Sequence, residues 1–349
     1  SDAFVKQGWR FDSSLRLKMN KINREHFNLS GESENENWVA GFEEGSRKRI
    51  MKQSENSPEF EELLAKIDFN SLREIFSNIA EKSGVDSEKI NFLNPERISN
   101  SLSSKEGERM AEFSIMENII YASHEEIKRY SSDMGLNKDL MVLQVLCHEE
   151  THAISYTSCV GLKEFIRNKN GVIETQSGFS IGTIQKENES SQFNSLFRFF
   201  DEGVTEKIAR EITSEYLDKN PDFSKTENVK EFEDVLYSKK GKMPYDGSVL
   251  FLEGFIKKIG LAVGLDEETV WHAIIRGKIE GINFNDTEFK NSFSEMFPPN
   301  FFYDLSKVSS DGQMFNLIER LDLRENIKNK PSFSEKIKTW ISDLSSKIS

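Results

Sequence analysis

Residues 146–155, LCHEETHAIS, place two histidines four positions apart inside an apolar stretch. From Asn137, which suits an N-cap, to a stop before Gly161, the pattern predicts one continuous helix. Four helical residues advance about 400° and about 6 Å, so His148 and His152 project from one face and can bind one ion. A buried histidine pair needs partners, and a metal ion would satisfy both rings. The alternative is an ordinary helix that carries two polar residues on one face.

Carboxylates complete the candidate site. Glu149 directly follows the first histidine, which is where a base stands beside a metal-activated water without ligating the ion. A catalytic zinc takes three protein ligands and a water. No third histidine closely follows His152, whereas Glu202 lies fifty positions further on, in the segment FFDEGVTEKIAR of a second predicted helix. Glu202 is therefore the better candidate for a third ligand.

The two segments together resemble a known family. An HExxH helix followed some tens of residues later by a helix bearing DEGVTE resembles the gluzincin branch of the zinc metallopeptidases, many bacterial members of which carry a similar NEGLTE segment. The resemblance covers about residues 137–215, extends more loosely to 275, and does not reach the first hundred residues or the tail. It implies that one zinc ion per chain is bound by His148, His152 and Glu202.

The resemblance also implies roles around this centre. It makes Glu149 the general base that deprotonates the zinc-bound water, and it places Glu206 where a carboxylate holds the ring N–H of the first zinc histidine. A ligating imidazole usually donates its other nitrogen to such a group; a solvated helix charge is the alternative for Glu206. Independently, Gly203 would let two helices approach closely, beside the metal or in simple packing. Asp201 would cap the start of its helix.

Gluzincins also tend to use a tyrosine or histidine further along the chain to stabilise the oxyanion. Tyr245, in KMPYDGSV, is the predicted catalytic residue for that role, with His272 and Tyr156 as other candidates. A purely structural role is the alternative for each. By the same analogy, the strand predicted near FSIMENIIYAS would be an edge strand along which an extended substrate docks by main-chain pairing. A buried strand is the equally simple alternative.

The remaining patterns predict an α+β protein that is mainly α. Helical spacing marks one or two amphipathic helices within 57–84, a helix that begins near Phe193 and ends before Pro221, helices at about 246–264 and 267–276, and a tail helix within 331–349. The tail helix is expected to dock on its own domain; a contact with a partner or a membrane is the alternative. Short apolar segments indicate one or two strands at 110–123 and a hairpin at 171–184. We expect a helical N-terminal region at 1–105, a zincin-like metallopeptidase core at 106–280 and a helical C-terminal extension at 281–349.

Charge and cysteine content narrow the possible partners. The formal net charge of −13 and the isoelectric point near 5.1 argue against nucleic-acid binding, because a phosphate backbone would be repelled. The longest apolar region, 249–264, is interrupted by charged residues, so no transmembrane segment is expected. Cys147 and Cys159 fall in one predicted helix about three turns apart, too far for a disulfide, and are expected to be buried thiols.

The sequence thus predicts a zinc-dependent peptidase that acts on a peptide or protein substrate. One alternative is a binding or regulatory module that retains a zincin fold without proteolytic activity. Another is a helical interaction protein with an accidental motif, which would leave His148 and His152 far from Glu202 in space. The N-terminus, SDAFVKQGWRF, has neither an initiator Met nor a signal-peptide core, as expected of a trimmed chain or a processed fragment. Compartment, oligomeric state and cleavage preference stay open.

Overall fold

The computed structural model describes residues 58–100, 110–114, 118–160, 170–187, 190–237, 243–281, 297–298 and 300–321. Its helices are α1 (Pro58–Lys66), α2 (Phe69–Lys82), α3 (His124–Met134), α4 (Lys138–Ile154), α5 (Arg198–Lys219), α6 (Pro221–Ser224), α7 (Val229–Leu236), α8 (Asp246–Val263), α9 (Glu267–Glu280), α10 (Phe301–Lys307) and α11 (Asp311–Ile318). Its strands are β1 (Ile98–Asn100), β2 (Ala111–Ser114), β3 (Ile119–Ala122), β4 (Thr157–Val160), β5 (Asn170–Ser177), β6 (Ser180–Glu187) and β7 (Ser190–Leu196). The fold is α+β and mainly helical, as predicted.

The strands form two sheets. In the first, β3 lies in the centre, parallel to β1 and antiparallel to β2. The second is an antiparallel meander in the order β4, β5, β6, β7, whose β5–β6 hairpin turns at Gly178 with a φ of 54°. This left-handed backbone conformation is one that glycine adopts without steric cost. The strands predicted within 110–123 and the hairpin predicted at 171–184 are confirmed.

The helices pack around α4. This helix lies against α3 and α5 and against strands β2 and β3, so nearly every residue from Leu140 to Ile154 is buried. The side chain of Asn137 accepts two backbone N–H groups at the start of α4, which confirms the predicted N-cap. One hydrophobic cluster extends from Phe60 in α1 to Leu321 after α11. The helix with the histidine pair is therefore a central, firmly packed element of the core.

The C-terminal end of α4 differs from the prediction. The helix ends at Ile154, and residues 157–160 form β4, which pairs with β5. The prediction of one helix up to Gly161 is therefore wrong. Pairing with β5 gives this segment a hydrogen-bond ladder that its local sequence does not reveal. Cys147 is buried in α4 and Cys159 lies in β4, so the two cysteines do not share a helix.

The start of α5 also differs from the prediction. Residues 190–196 form β7, paired antiparallel with β6, so the helix predicted to begin near Phe193 begins only at Arg198. Between the two elements, Phe197 has a φ of 59°, and its backbone N–H bonds to the carbonyl oxygen of Ser306. Apolar residues at helical spacing were misleading here because sheet pairing, a long-range interaction, decides the conformation.

The other helical predictions inside the described residues are confirmed: two helices within 57–84, and α8 and α9 close to their predicted limits. The predicted tail helix at 331–349 lies outside the described residues. Within the described ranges, no helix combines the length and the apolar character needed to cross a bilayer. The division of the chain at 105 and 280 stays a prediction.

Candidate metal centre

Two histidines of α4 and one glutamate of α5 converge on one point, which we call the candidate centre. Glu202 Oε2 lies 3.3 Å from Nε2 of His148 and 3.3 Å from Nε2 of His152. One ligand atom from each of the three residues lies within 4.8 Å of the others. Donor atoms held tetrahedrally at about 2.0–2.1 Å from one zinc ion would be about 3.3 Å apart, so the group could hold a metal ion. The alternative of a helical interaction protein with an accidental motif predicts that His148 and His152 lie far from Glu202. That prediction is wrong.

The position of α5 depends on Gly203, the residue next to Glu202. A Cβ at Gly203 would lie 2.9 Å from the carbonyl oxygen of Ser248 in α8, which is too close for a side chain. The glycine therefore allows α5 to approach α8. The contact with Ser248 supports the helix-packing interpretation of this glycine.

Glu206 holds the first histidine of the motif. Its Oε2 lies 2.9 Å from Nδ1 of His148, and its Oε1 accepts hydrogen bonds from Gln144 and Arg210. The side chain is buried, so the alternative of a solvated helix charge is wrong. When Nδ1–H of His148 donates to Glu206, the lone pair of Nε2 is left to face the candidate centre. The burial that raises the pKa of Glu206 is outweighed by His148 and Arg210, which lower it and keep the group ionised.

Glu149 lies beside the candidate centre and is almost fully buried. Burial raises the pKa of its carboxyl group, and the negative charge of Glu202 adds to this effect. The two histidines of the centre and a hydrogen bond from the backbone N–H of Phe113, in β2, act in the opposite direction. A carboxyl group with a raised pKa beside a metal site is suited to accept a proton and release it again.

The charges of the candidate centre balance one another. Burial alone would lower the pKa of His148, but hydrogen bonds to Glu202 and Glu206 raise it to about 10. Burial would likewise raise the pKa of Glu202, but His152 and His148 lower it well below its usual range. Buried carboxylates thus hold a positive charge at this place, which is also what a divalent cation would need.

Asp201 does not cap α5, contrary to the prediction. The helix begins three residues earlier, and the carboxylate of Asp201 is buried. Its Oδ1 accepts hydrogen bonds from the ammonium group of Lys278, at 2.6 Å, and from the backbone N–H of Phe179, at 2.8 Å. Its Oδ2 lies 3.8 Å from Nδ1 of His152. Asp201 therefore links α9 and the β5–β6 turn to the second histidine, a role that sequence reasoning missed.

Tyr245 lies next to the candidate centre. Its ring stacks on the imidazole of His148, with 5.5 Å between centroids and an angle of 13°, and meets Phe199 edge-on. The negative charge of Glu202, together with burial, raises the pKa of the phenol well above its usual value. The hydroxyl group therefore stays protonated and remains a hydrogen-bond donor at neutral pH.

The other two candidates for the oxyanion role lie elsewhere. His272 bonds to the hydroxyl of Ser83 and has Glu268 nearby, between α9 and α2. The Tyr156 ring lies where a Cβ of Gly281 would be, and its backbone pairs with Gly178. Of the three candidates, Tyr245 is the one that the structure brings to the centre.

Sequence reasoning also missed Arg210. This buried arginine lies on α5, four residues after Glu206, and joins it to Asp246 at the start of α8. The i, i+4 spacing of Glu206 and Arg210 was a visible signal for an ion pair, but nothing in the sequence indicated Asp246 as a second partner.

Comparisons with known proteins do not extend this picture. No family model, no curated protein and no solved structure matches the chain. A functional assignment therefore depends on the geometry and chemistry of the side chains described above.

Proposed function

We propose that this protein is a zinc-dependent metallopeptidase with a zincin-like core. The observation that carries the proposal is the convergence of His148, His152 and Glu202, with Glu149 buried beside them. Two imidazoles and one carboxylate are a known ligand set of catalytic zinc, which keeps a fourth position for water or substrate. The nitrogen and oxygen donors, without thiolates, also fit zinc better than a copper(I) or iron–sulfur site.

When bound, zinc would polarise the scissile carbonyl and lower the pKa of a water molecule to about 7. Glu149 would take the proton from the attacking water and deliver it to the leaving amine. Its raised pKa favours the first half of this task, since a more basic carboxylate accepts a proton more readily. No covalent bond between protein and substrate is required.

Tyr245 would donate its hydroxyl hydrogen bond to the carbonyl oxygen as negative charge develops there. The supporting observation is that the ring is stacked on His148; the phenol is protonated at neutral pH, and the raised pKa extends this to more alkaline pH. A donor placed beforehand at such a position contributes typically about 2.7–4 kcal/mol to transition-state stabilisation.

Strand β2 is the element along which a peptide substrate would lie. Among the described strands it pairs with β3 alone, and Phe113 in its middle bonds to Glu149 through its backbone N–H. An extended peptide that pairs with a strand edge gains main-chain hydrogen bonds without a particular side-chain sequence. A peptide or protein substrate is therefore the class we propose.

Replacing Glu149 by Gln tests the enzymatic role. The substitution removes the base while it keeps size and both histidines, so zinc occupancy should be unchanged. Hydrolysis of a broad peptide library, followed by mass spectrometry, should fall at least about 100-fold. Equal hydrolysis by both proteins would contradict the mechanism.

The neighbouring Glu150 offers a matched control. It is buried in the same helix but bonds to the backbone N–H of Leu93, away from the candidate centre. Glu150→Gln should therefore keep full activity and full zinc occupancy. A wild-type protein that binds zinc but cleaves nothing in the library would favour the alternative of a binding or regulatory module.

A further inference from the structure

Arg210 is a buried cation near the candidate centre, and all three of its side-chain nitrogen atoms donate hydrogen bonds. Its Nε donates to Glu206 at 2.8 Å, its Nη1 to the carbonyl oxygen of Leu236 at 2.7 Å, and its Nη2 to Asp246 at 2.7 Å. The guanidinium is buried, and two buried carboxylates share its single charge. The donors of a guanidinium have a rigid, planar geometry, so Arg210 fixes the orientation of Glu206 in α5 relative to Asp246 in α8.

One side of Arg210 leads to the first histidine of the motif. Oε1 of Glu206 accepts from Arg210, while Oε2 of the same carboxylate faces Nδ1 of His148 at 2.9 Å. The guanidinium therefore fixes the orientation of the carboxylate, and the carboxylate fixes the rotation of the imidazole. Gln144 donates to the same Oε1 at 3.2 Å and limits its movement further.

The other side of Arg210 leads to the stacked tyrosine. Asp246 accepts from Arg210, and the carbonyl oxygen of Pro244 lies 3.4 Å from its Nη2. These contacts hold the residues on both sides of Tyr245, which has a φ of 63°. A left-handed tyrosine is sterically unfavourable, so surrounding contacts must stabilise this backbone conformation. The Tyr245 ring in turn covers the face of His148.

Arg210 is thus connected to the His148 ring in two ways. Glu206 bonds to Nδ1 at the edge of the ring, and Tyr245, held through Asp246, covers its face. We propose that Arg210 is a positioning residue that fixes His148 and Tyr245 relative to each other. The proposal rests on the proposed function only where it assigns His148 to the metal and Tyr245 to the substrate carbonyl. Arg210 itself would contact neither the metal ion nor the substrate. A lysine could supply the charge but not the planar set of donors in two directions.

Arg210→Lys is the decisive variant, and Arg276→Lys is its control. Arg276 is also buried, but it bonds to Glu280 within α9. In metal-free protein, NMR of the histidine rings should show a shift of the His148 ring protons in Arg210→Lys, since the ring current of a displaced Tyr245 changes. The control should leave these resonances in place.

Zinc affinity and kinetics provide the second readout. Arg210→Lys should weaken zinc binding by up to roughly 10-fold in a competition titration, the lower end of the range for loss of a group bonded directly to a metal ligand, because Glu206 itself remains. At saturating zinc, kcat should fall with little change in KM, and the loss should be less than additive with that of Tyr245→Phe. A merely structural arginine would lower stability without these effects on the folded protein.

Two outcomes would overturn the proposal: unchanged His148 resonances, or unchanged zinc affinity, in folded Arg210→Lys. If that variant does not fold, Asp246→Asn weakens only the route to Tyr245 and should shift the same resonances. Because the NMR measurement uses metal-free protein, it decides the positioning role independently. Failure of the wild type to bind zinc would refute the proposed function instead.

Discussion

Removing the ammonium group of Lys278 should destabilise the protein strongly. Lys278 is fully buried, and its Nζ lies 2.6 Å from Oδ1 of the equally buried Asp201. At an effective dielectric constant of about 20, Coulomb's law gives an attraction of about 6 kcal/mol at this distance, much of which offsets the cost of desolvation. Lys278→Met keeps an unbranched side chain of similar length but leaves the buried carboxylate of Asp201 without its ammonium partner. We expect the free energy of unfolding to fall by about 3–5 kcal/mol.

The matched double variant separates charge from packing. Adding Asp201→Asn to Lys278→Met removes the orphan charge, and an amide oxygen can still accept the backbone N–H of Phe179. The double variant should therefore recover most of the loss. Urea unfolding followed by circular dichroism measures both differences. A loss below about 1 kcal/mol in the single variant, or a double variant as unstable as the single one, would refute the reasoning.

Three further changes test other parts of the structure. Glu150→Gln should stabilise the protein at pH 7, because burial raises the pKa of Glu150 well above 4.5. The cost of ionising the buried Glu150 is absent below pH 4.5 and grows as the pH rises above that value. A gain in the unfolding free energy of the variant that persists at pH 4 would contradict this explanation. Gly203→Ala should destabilise the protein in urea unfolding, because its Cβ would meet the Ser248 carbonyl oxygen at 2.9 Å; equal stability would show that α8 can move away. Glu206→Ala should weaken zinc binding by roughly 10- to 100-fold in a competition titration, and unchanged affinity would remove its role behind His148.

The parts of the fold that depend on local periodicity were predictable. The N-cap at Asn137 follows from the residue type there. The position of His148 and His152 on one helix, and helices α8 and α9, follow from the spacing of residues within a few turns of one another. The convergence of Glu202 on the histidines was expected from a resemblance in two short segments. In the structure, this convergence is expressed in the distances between the side-chain atoms of these residues.

The parts that depend on long-range pairing were not predictable. The segments at 157–160 and 190–196 become strands because β5 and β6 offer them a ladder. The partners of the buried charges are equally distant in sequence: Asp246 lies 36 residues from Arg210, and Lys278 lies 77 residues from Asp201. A single sequence shows that such residues are charged, but not which of them are buried together as pairs in the folded protein.

Zinc X-ray absorption spectroscopy on protein reconstituted with zinc tests the central claim most directly. The proposed function predicts one tightly bound zinc per chain, with nitrogen and oxygen neighbours at about 2.0–2.2 Å, an imidazole contribution from His148 and His152, and no sulfur neighbour at about 2.3 Å. His152→Ala, measured in parallel, should lose the stoichiometric ion. Far less than one zinc per chain in the wild type, or a sulfur neighbour in its spectrum, would contradict the assignment of the candidate centre.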